Sequence, residues 1–281
     1  MILLLLFLNI LEIEKVYNSP SDFLSTKKFL KKIFFGKEDE RSFNMPLSIK
    51  FEGEKIFICD GNFIHKIENG KIEEIRKDNL SCKDMEVLDS KLFVTFSEDN
   101  YLSFYDLGQK KWEKVPFQFK NLGGLFYWER EKVLFITDTG AHKIYKFKDF
   151  KVEEFISEGL NFPIDLVVSE SSKIYIADSF DYEIEIRDLE GKKIYSFGGT
   201  GEGFGYFKSL RGIAIDDENR IYASDTTNGW IQIFSGEGEL LYVYKDENIV
   251  HPFYLNFYKE NLWVPEGFLK KILKIKINPP K

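Results

Sequence analysis

Ile221-Tyr222-Ala223-Ser224-Asp225-Thr226 decides the fold, because the chain repeats it. The pattern recurs as Ile174-Tyr175-Ile176-Ala177-Asp178-Ser179, Leu134-Phe135-Ile136-Thr137-Asp138-Thr139 and Ile56-Phe57-Ile58-Cys59-Asp60-Gly61. Two degenerate copies, Lys91-Leu92-Phe93-Val94-Thr95-Phe96 and Asn261-Leu262-Trp263-Val264-Pro265, complete the set. Aligned on the Asp column (positions 60, 96, 138, 178, 225 and 265), the spacings are 36, 42, 40, 47 and 40 residues. Short strands recurring near every 40 residues predict a radial array of small sheets. The expectation is an all-β, six-bladed β-propeller.

Working outward, each repeat continues into an alternating third strand. These include Phe63-Ile64-His65-Lys66-Ile67, Lys143-Ile144-Tyr145-Lys146-Phe147 and Trp230-Ile231-Gln232-Ile233-Phe234. Period-two alternation marks half-buried strands, and turns such as Glu68-Asn69-Gly70 and Gly236-Glu237-Gly238 separate them. The predicted blades cover residues 44–80, 81–118, 119–157, 158–198, 205–245 and 250–277. The last has no fourth strand of its own, since Pro279 and Pro280 follow Ile277. Residues 12–18 are an unassigned strand, and the economical expectation is that they complete blade six and remove an open edge.

Residues 1–11, MILLLLFLNIL, are shorter than the roughly 20 residues of a transmembrane helix. They read either as a signal or anchor remnant, although basic leading residues and a small-residue cleavage site are lacking, or as a buried strand. Residues 19–35 read as a helix capped by Ser19, with Pro20 in its first turn. Its Lys27, Lys28, Lys31 and Lys32 form a basic face that is either solvated or peripherally associated with a membrane surface.

With 43% hydrophobic residues and 28 Phe, the chain has ample material for a core, which excludes a disordered class. A formal net charge of −7 disfavours nucleic acid as a partner, because phosphates demand a clustered basic surface. The two cysteines, Cys59 and Cys82, make no zinc or redox motif. A buried free thiol is the default for Cys59, and a Cys59–Cys82 bridge is the alternative in an exported chain.

The best-formed stretch runs Phe197-Gly198-Gly199-Thr200-Gly201-Glu202-Gly203-Phe204-Gly205, then Leu210-Arg211-Gly212-Ile213-Ala214-Ile215-Asp216, then Ile221 to Phe234. It resembles the NHL repeat, in which a glycine-rich turn precedes a P-x-G-I-A-V-D strand and an I-Y-V-A-D-S-x-N-x-R-I-x-V-F hairpin. Asn161-Phe162-Pro163-Ile164-Asp165 opens a second copy, and His251-Pro252-Phe253 and Met45-Pro46-Leu47 open weaker ones. The resemblance covers roughly residues 12–277 and implies a six-bladed propeller of a kind that is often exported. The chain departs from the pattern where His142, Tyr182 and Trp230 stand for the usual Arg, and where blades two and six lack the Asp.

Recognisable catalytic motifs are lacking. The glycines at 198–205 contain no G-x-G-x-x-G and precede no G-K-[ST], so they read as an inter-blade turn. No G-x-S-x-G occurs, and the three histidines lie in different blades. The Asp column is expected to accept backbone amides in the following turn, as in Asx-turns. A calcium ring there is disfavoured, because its carboxylates belong to separate blades.

Ring geometry supplies the candidates. Opening strands of a propeller line the channel, so Leu47-Ser48, Met85-Glu86, Gly123-Gly124, Ile164-Asp165, Arg211-Gly212 and Phe253-Tyr254 should meet at one mouth. Arg211, Asp165, Glu86, Ser48 and Tyr254 are the expected ligand-binding residues there. Mutual pairing of Asp165 with Arg211 is the structural alternative. Trp230, Tyr182 and Trp128 are candidate aromatics of a partner surface. The expected function is a non-catalytic binding module for a protein, peptide or envelope component, with no cofactor and an extracytoplasmic location, or a cytoplasmic one if residues 1–11 are a strand. The alternative is a metal-dependent propeller enzyme, gluconolactonase-like or amidating-lyase-like, with calcium in the central channel. RNA binding is opposed by the acidic balance.

Overall fold

The computed structural model describes residues 11–23 and 42–277, and these form six four-stranded antiparallel sheets. β1 (Leu11–Tyr17) is followed by one 3-10 turn, Pro20–Phe23. Blade one comprises β2 (Pro46–Glu52), β3 (Lys55–Asp60), β4 (Phe63–Glu68) and β5 (Lys71–Ile75). Blade two comprises β6 (Cys82–Leu88), β7 (Lys91–Phe96), β8 (Tyr101–Asp106) and β9 (Lys111–Gln118). Blade three comprises β10 (Leu122–Trp128), β11 (Val133–Asp138), β12 (Lys143–Lys148) and β13 (Lys151–Ile156). Blade four comprises β14 (Pro163–Val168), β15 (Ile174–Asp178), β16 (Glu183–Arg187) and β17 (Lys193–Gly198). Blade five comprises β18 (Leu210–Ile215), β19 (Ile221–Asp225), β20 (Trp230–Phe234) and β21 (Leu240–Tyr244). Blade six joins β22 (Asn256–Tyr258), β23 (Asn261–Glu266) and β24 (Lys271–Ile277) to β1.

The core lies between blades. Every residue of β11, β15 and β19 is buried, because each second strand has a neighbouring blade on both faces. Fourth strands such as β13 expose much of their length to solvent at the rim. Phe57 and Ile64 of blade one pack with Met85, Leu92 and Val94 of blade two. Tyr222 and Ile233 of blade five pack with Leu262, Leu273 and Leu11 of blade six.

The ring closes as expected. Leu11 pairs with Ile277, Ile13 with Ile275 and Tyr17 with Ile272, and Lys274 forms an ion pair with Glu14. Tyr17 stacks on Phe23 at 4.0 Å, which seats the 3-10 turn against the closing blade. The helix expected over 19–35 is one 3-10 turn as far as Phe23; its remainder, and residues 1–10, lie outside the described residues. Ser19 is not the amide-capping side chain. Asp22 is, its carboxylate accepting the Asn18 and Ser19 amides at 2.7 and 3.0 Å.

The Asp column does accept amides, but mainly from the loop that enters the blade. Asp60 receives Asn44 and Met45, Asp138 receives Lys120 and Asn121, and Asp178 receives Asn161 and Phe162. Asp138 takes Ala141 from the following turn as well. Blade six does not lack this carboxylate. Pro265 lies opposite Ile272, and it is Glu266 that pairs with Pro252 and accepts the Val250, His251 and Leu269 amides. The position opposite the column is held by Lys143, Glu183 and Trp230. His142 and Tyr182 sit one residue earlier, at φ 58° each, where blade five has Gly229 at φ 66°. They are therefore turn residues and do not stand for the Arg of the repeat.

One residue before the column, the second strands of blades two, three and five reach toward the next blade. Thr95 Oγ1 donates to Gly123 O at 2.9 Å, Thr137 Oγ1 to Ile164 O at 3.3 Å, and Ser224 Oγ to Phe253 O at 3.0 Å. In blade one that position is Cys59, and it is disulfide-bonded to Cys82 at the start of blade two, with Cα atoms 5.7 Å apart. The default of a free thiol is thus corrected. The glycine-rich stretch connects β17 to β18 directly, as expected of an inter-blade turn. No helix among the described residues is long and apolar enough to cross a membrane.

Candidate functional site

Each opening strand of blades one to five begins with the same irregularity. In blade one, Pro46 lies opposite Asp60 and Ser48 opposite Cys59, with a register shift between them. The shift recurs at Cys82/Asp84, Leu122/Leu125, Pro163/Asp165 and Leu210/Ile213. Such bulges re-aim side chains at barrel and propeller mouths. Past the shift, the residues opposite Ile58, Val94, Ile136, Ile176 and Ala223 are Ile49, Met85, Leu125, Leu166 and Ile213. The residues just before these positions form one ring about the axis: Ser48, Asp84, Gly124, Asp165 and Gly212, completed in blade six by Tyr254. A second ring, nearer the face where the opening strands start, is Leu47, Lys83, Gly123, Ile164, Arg211 and Phe253. We call that face the upper face.

The structure therefore brings Ser48, Asp165 and Tyr254 into one ring and sets Arg211 just above it. Glu86 is corrected: the bulge puts Lys83 and Asp84 at the mouth in blade two, and Glu86 lies two residues deeper. There it pairs with Lys50 at 2.6 Å. Burial disfavours the Lys50 charge, but the Glu86 and Asp84 carboxylates outweigh it and leave its pKa raised.

Internal bonds occupy the ring carboxyls. Ser48 Oγ donates to Asp84 Oδ1 at 2.6 Å, across the boundary between blades one and two. The Leu125 amide donates to Asp84 Oδ2 at 2.8 Å, and the Ile213 amide to Asp165 Oδ2 at 2.9 Å. Each carboxyl thus accepts an amide from the opening strand of the next blade. The Leu166 amide takes the remaining Asp165 oxygen at 2.9 Å. Glycines make room: a Cβ on Gly124 would stand 2.5 Å from Asp165 Oδ1, and one on Gly212 would stand 2.5 Å from Phe253 O. Burial, reinforced by the nearby Asp84, pushes the Asp165 carboxyl well above its ordinary range. Burial likewise raises the Tyr254 hydroxyl.

Asp165 and Arg211 do not pair, and no ion pair joins them among the described residues. Below the ring lies a cavity of about 150 Å3 whose polar lining includes Lys50, Asp84, Glu86, Asp165, Tyr254 and Asn256. This donor set does not fit calcium. The Asp84 and Asp165 oxygens are turned to protein donors, Glu86 is paired, and no three acidic, His or Cys side chains among the described residues converge to hold a metal.

Sequence reasoning missed Asp84, Lys83 and Lys50. A usable signal was the distance back from the column: Ser48 precedes Asp60 by 12 residues, Asp165 precedes Asp178 by 13 and Gly212 precedes Asp225 by 13. Counting 12 back from Phe96 reaches Asp84, whereas Glu86 is only 10 away. Of the candidate partner-surface aromatics, Trp128 is buried at 9% exposure in the core between blades three and four. Trp230 is half-buried, with the more exposed Phe204 edge-on at 5.3 Å. Five exposed apolar side chains lie on the upper face: Met45, Phe180, Phe204, Tyr206 and Phe268.

No known family model matches the chain. Solved six-bladed propellers resemble it in fold. A virginiamycin B lyase from Staphylococcus aureus superposes with a TM-score of 0.64 at 14% identity, covering 83% of this chain and 95% of that one. An auxiliary nutrient-binding protein from Bacteroides thetaiotaomicron gives 0.70 at 12% identity, covering 84% and 70%. A luciferin-regenerating enzyme gives 0.65 at 14% identity, covering 83% and 92%. At these identities the likeness shows the fold alone. The chain is thus a six-bladed β-propeller whose architecture is shared by enzymes and binding proteins.

Proposed function

We propose that the chain is a non-catalytic, NHL-type binding module that docks a protein or peptide on its upper face. The observation that carries this reading is the distribution of exposed aromatic rings. Phe180 stacks on Phe162 at 4.2 Å, Phe268 packs beside His251 at 5.2 Å, and Phe204 meets Trp230, all on that face. Such rings supply contact area at low entropic cost, and aromatic residues are enriched where proteins bind one another. The channel carboxyls support the same reading, since their bonds tie blades together. An extracytoplasmic location accompanies it, supported by the Cys59–Cys82 bridge, because disulfides persist in oxidising compartments. This reading gives the channel no metal and the protein no nucleic-acid partner.

The test is affinity capture from the native host, followed by rebinding of the purified partner. Phe180→Ser and Phe268→Ser should each weaken rebinding at least tenfold. Phe150→Ser, on the opposite face, should leave it unchanged. Equal binding by all variants would sink the proposal.

A channel enzyme is the second reading. It is favoured by the Asp165 carboxyl, whose pKa burial and the nearby Asp84 raise well above its ordinary range beside a polar cavity. Turnover of a lactone or peptide substrate by the purified protein, lost in Asp165→Asn, would establish it over the first.

A further inference from the structure

Lys83 and Arg211 hold the same repeat position in blades two and five, and in a six-bladed ring those blades face each other across the axis. The upper ring therefore carries two cations on opposite sides of the channel mouth, separated by Leu47, Ile164 and Phe253 and the bare backbone of Gly123. Lys83 Nζ spends two of its protons on Asn121 Oδ1 and Leu122 O, both at 2.8 Å, which fixes the ammonium at the rim and leaves one proton uncommitted. Arg211 is different. Its guanidinium bonds nothing among the described residues, and its Nε is sealed from solvent without a partner. A buried charged donor left unmet costs more than a neutral one. Arginine, with a planar fork of five donors, is suited to a carboxylate.

We propose that Lys83 and Arg211 capture the C-terminal carboxylate of the docked peptide at the channel mouth. This rests on the upper face being the docking surface. The chemistry selects the ligand in three ways. Two opposed cations with no acidic partner in their own ring call for an anion between them. The Asp84 carboxylate, one ring deeper, limits the negative charge the mouth accepts and so favours a monoanion over a phosphate dianion. The half-buried Phe253 supplies an apolar surface for the last side chain of the peptide, and the exposed Phe180 and Phe268 lie farther out, where preceding residues would run. A free small acid would reach none of these. The electrostatics agree: burial lowers the Lys83 pKa and, against the pull of Glu98, the Arg211 charge lowers it further, a strain that a bound carboxylate removes.

The probes are N-acetyl-Ala-Ala-Phe as the free acid and as the C-terminal amide, titrated into the full-length protein by calorimetry. Saturable binding of the acid, at least tenfold weaker for the amide, is expected. Arg211→Gln and Lys83→Gln should each weaken the acid at least tenfold and leave the weak amide binding unchanged, with Arg211→Lys retaining part of the effect. Melting temperatures within a few degrees of the parent would show that the variants are folded. Equal affinity for acid and amide, no saturable binding of either, or inorganic phosphate competing more strongly than the acid would each overturn the proposal. Partner binding lost in Phe180→Ser but intact in Arg211→Gln would overturn the carboxylate site while leaving the docking face standing. Insensitivity to both would remove both.

Discussion

Cys59 and Thr95 occupy one position of the repeat and close successive blade boundaries by different chemistry. Thr95 donates its hydroxyl to Gly123 O in blade three, whereas Cys59 is covalently joined to Cys82 in blade two. The hydroxyl bond is worth about 1 kcal/mol net, and the covalent link constrains the unfolded chain as well.

Replacing both cysteines with alanine should therefore cost about 3 kcal/mol, the chain-entropy value for a loop of 23 residues. Urea unfolding with and without reductant measures it. Reductant should lower the midpoint of the parent and leave the double variant unmoved; equal sensitivity would show that the bridge contributes nothing.

Asp84→Ala should be more damaging than Ser48→Ala. The first leaves the Ser48 hydroxyl and the Leu125 amide unmet in a buried ring, at a cost of about 3 kcal/mol, while the second removes one donor, at about 1 kcal/mol. Chemical denaturation of the two variants gives the comparison, and equal losses would refute the clasp.

Glu266→Ala strips the acceptor from three amides and should cost about 3 kcal/mol, whereas Pro265→Ala should cost less than about 1 kcal/mol. The two thermal melts decide which residue is the sixth member of the column.

Asp165 sets a pH signature. Its folded-state pKa is raised, so between the unfolded value near 3.9 and the folded one the native state binds more protons. The contribution of the group is then fully present below about pH 4 and is lost as pH rises through its folded pKa, at up to about 1.4 kcal/mol per pH unit. Asp165→Asn removes that term. The stability of the parent minus that of the variant should fall steadily above about pH 4, as followed by urea unfolding across a pH series. A difference independent of pH would contradict the assignment.

Blade number, ring closure and the inter-blade glycine turn were legible because each rests on period and alternation, which the chain carries in its own residues. The errors share a physical cause. A bulge adds one residue without changing the hydrophobic pattern, so Met85-Glu86 resembles a mouth pair while Lys83-Asp84 occupies the place. Blade six substitutes Glu for Asp, one residue later than the alignment put it, and the longer side chain still reaches the Val250 amide. Trp128 resembles an exposed aromatic at a strand end, yet blade four covers it. The pairing of Asp84 with Ser48, and of Asp165 with Ile213, depends on which blades adjoin, which no single strand encodes.

The pairing of Leu11 with Ile277 also orders the assembly of the molecule. The two strands are the most distant in the described chain, so the loop their contact closes is nearly the whole propeller. Blades one to five can form from neighbouring sequence as each becomes available. The seam must wait for the last strand, and until β1 docks on it β24 offers an unpaired edge to any other extended segment. A second copy of this chain, delivering its own Leu11–Tyr17, is the competitor best matched to that edge, so exchange of this strand between molecules is the misassembly that crowded refolding should favour.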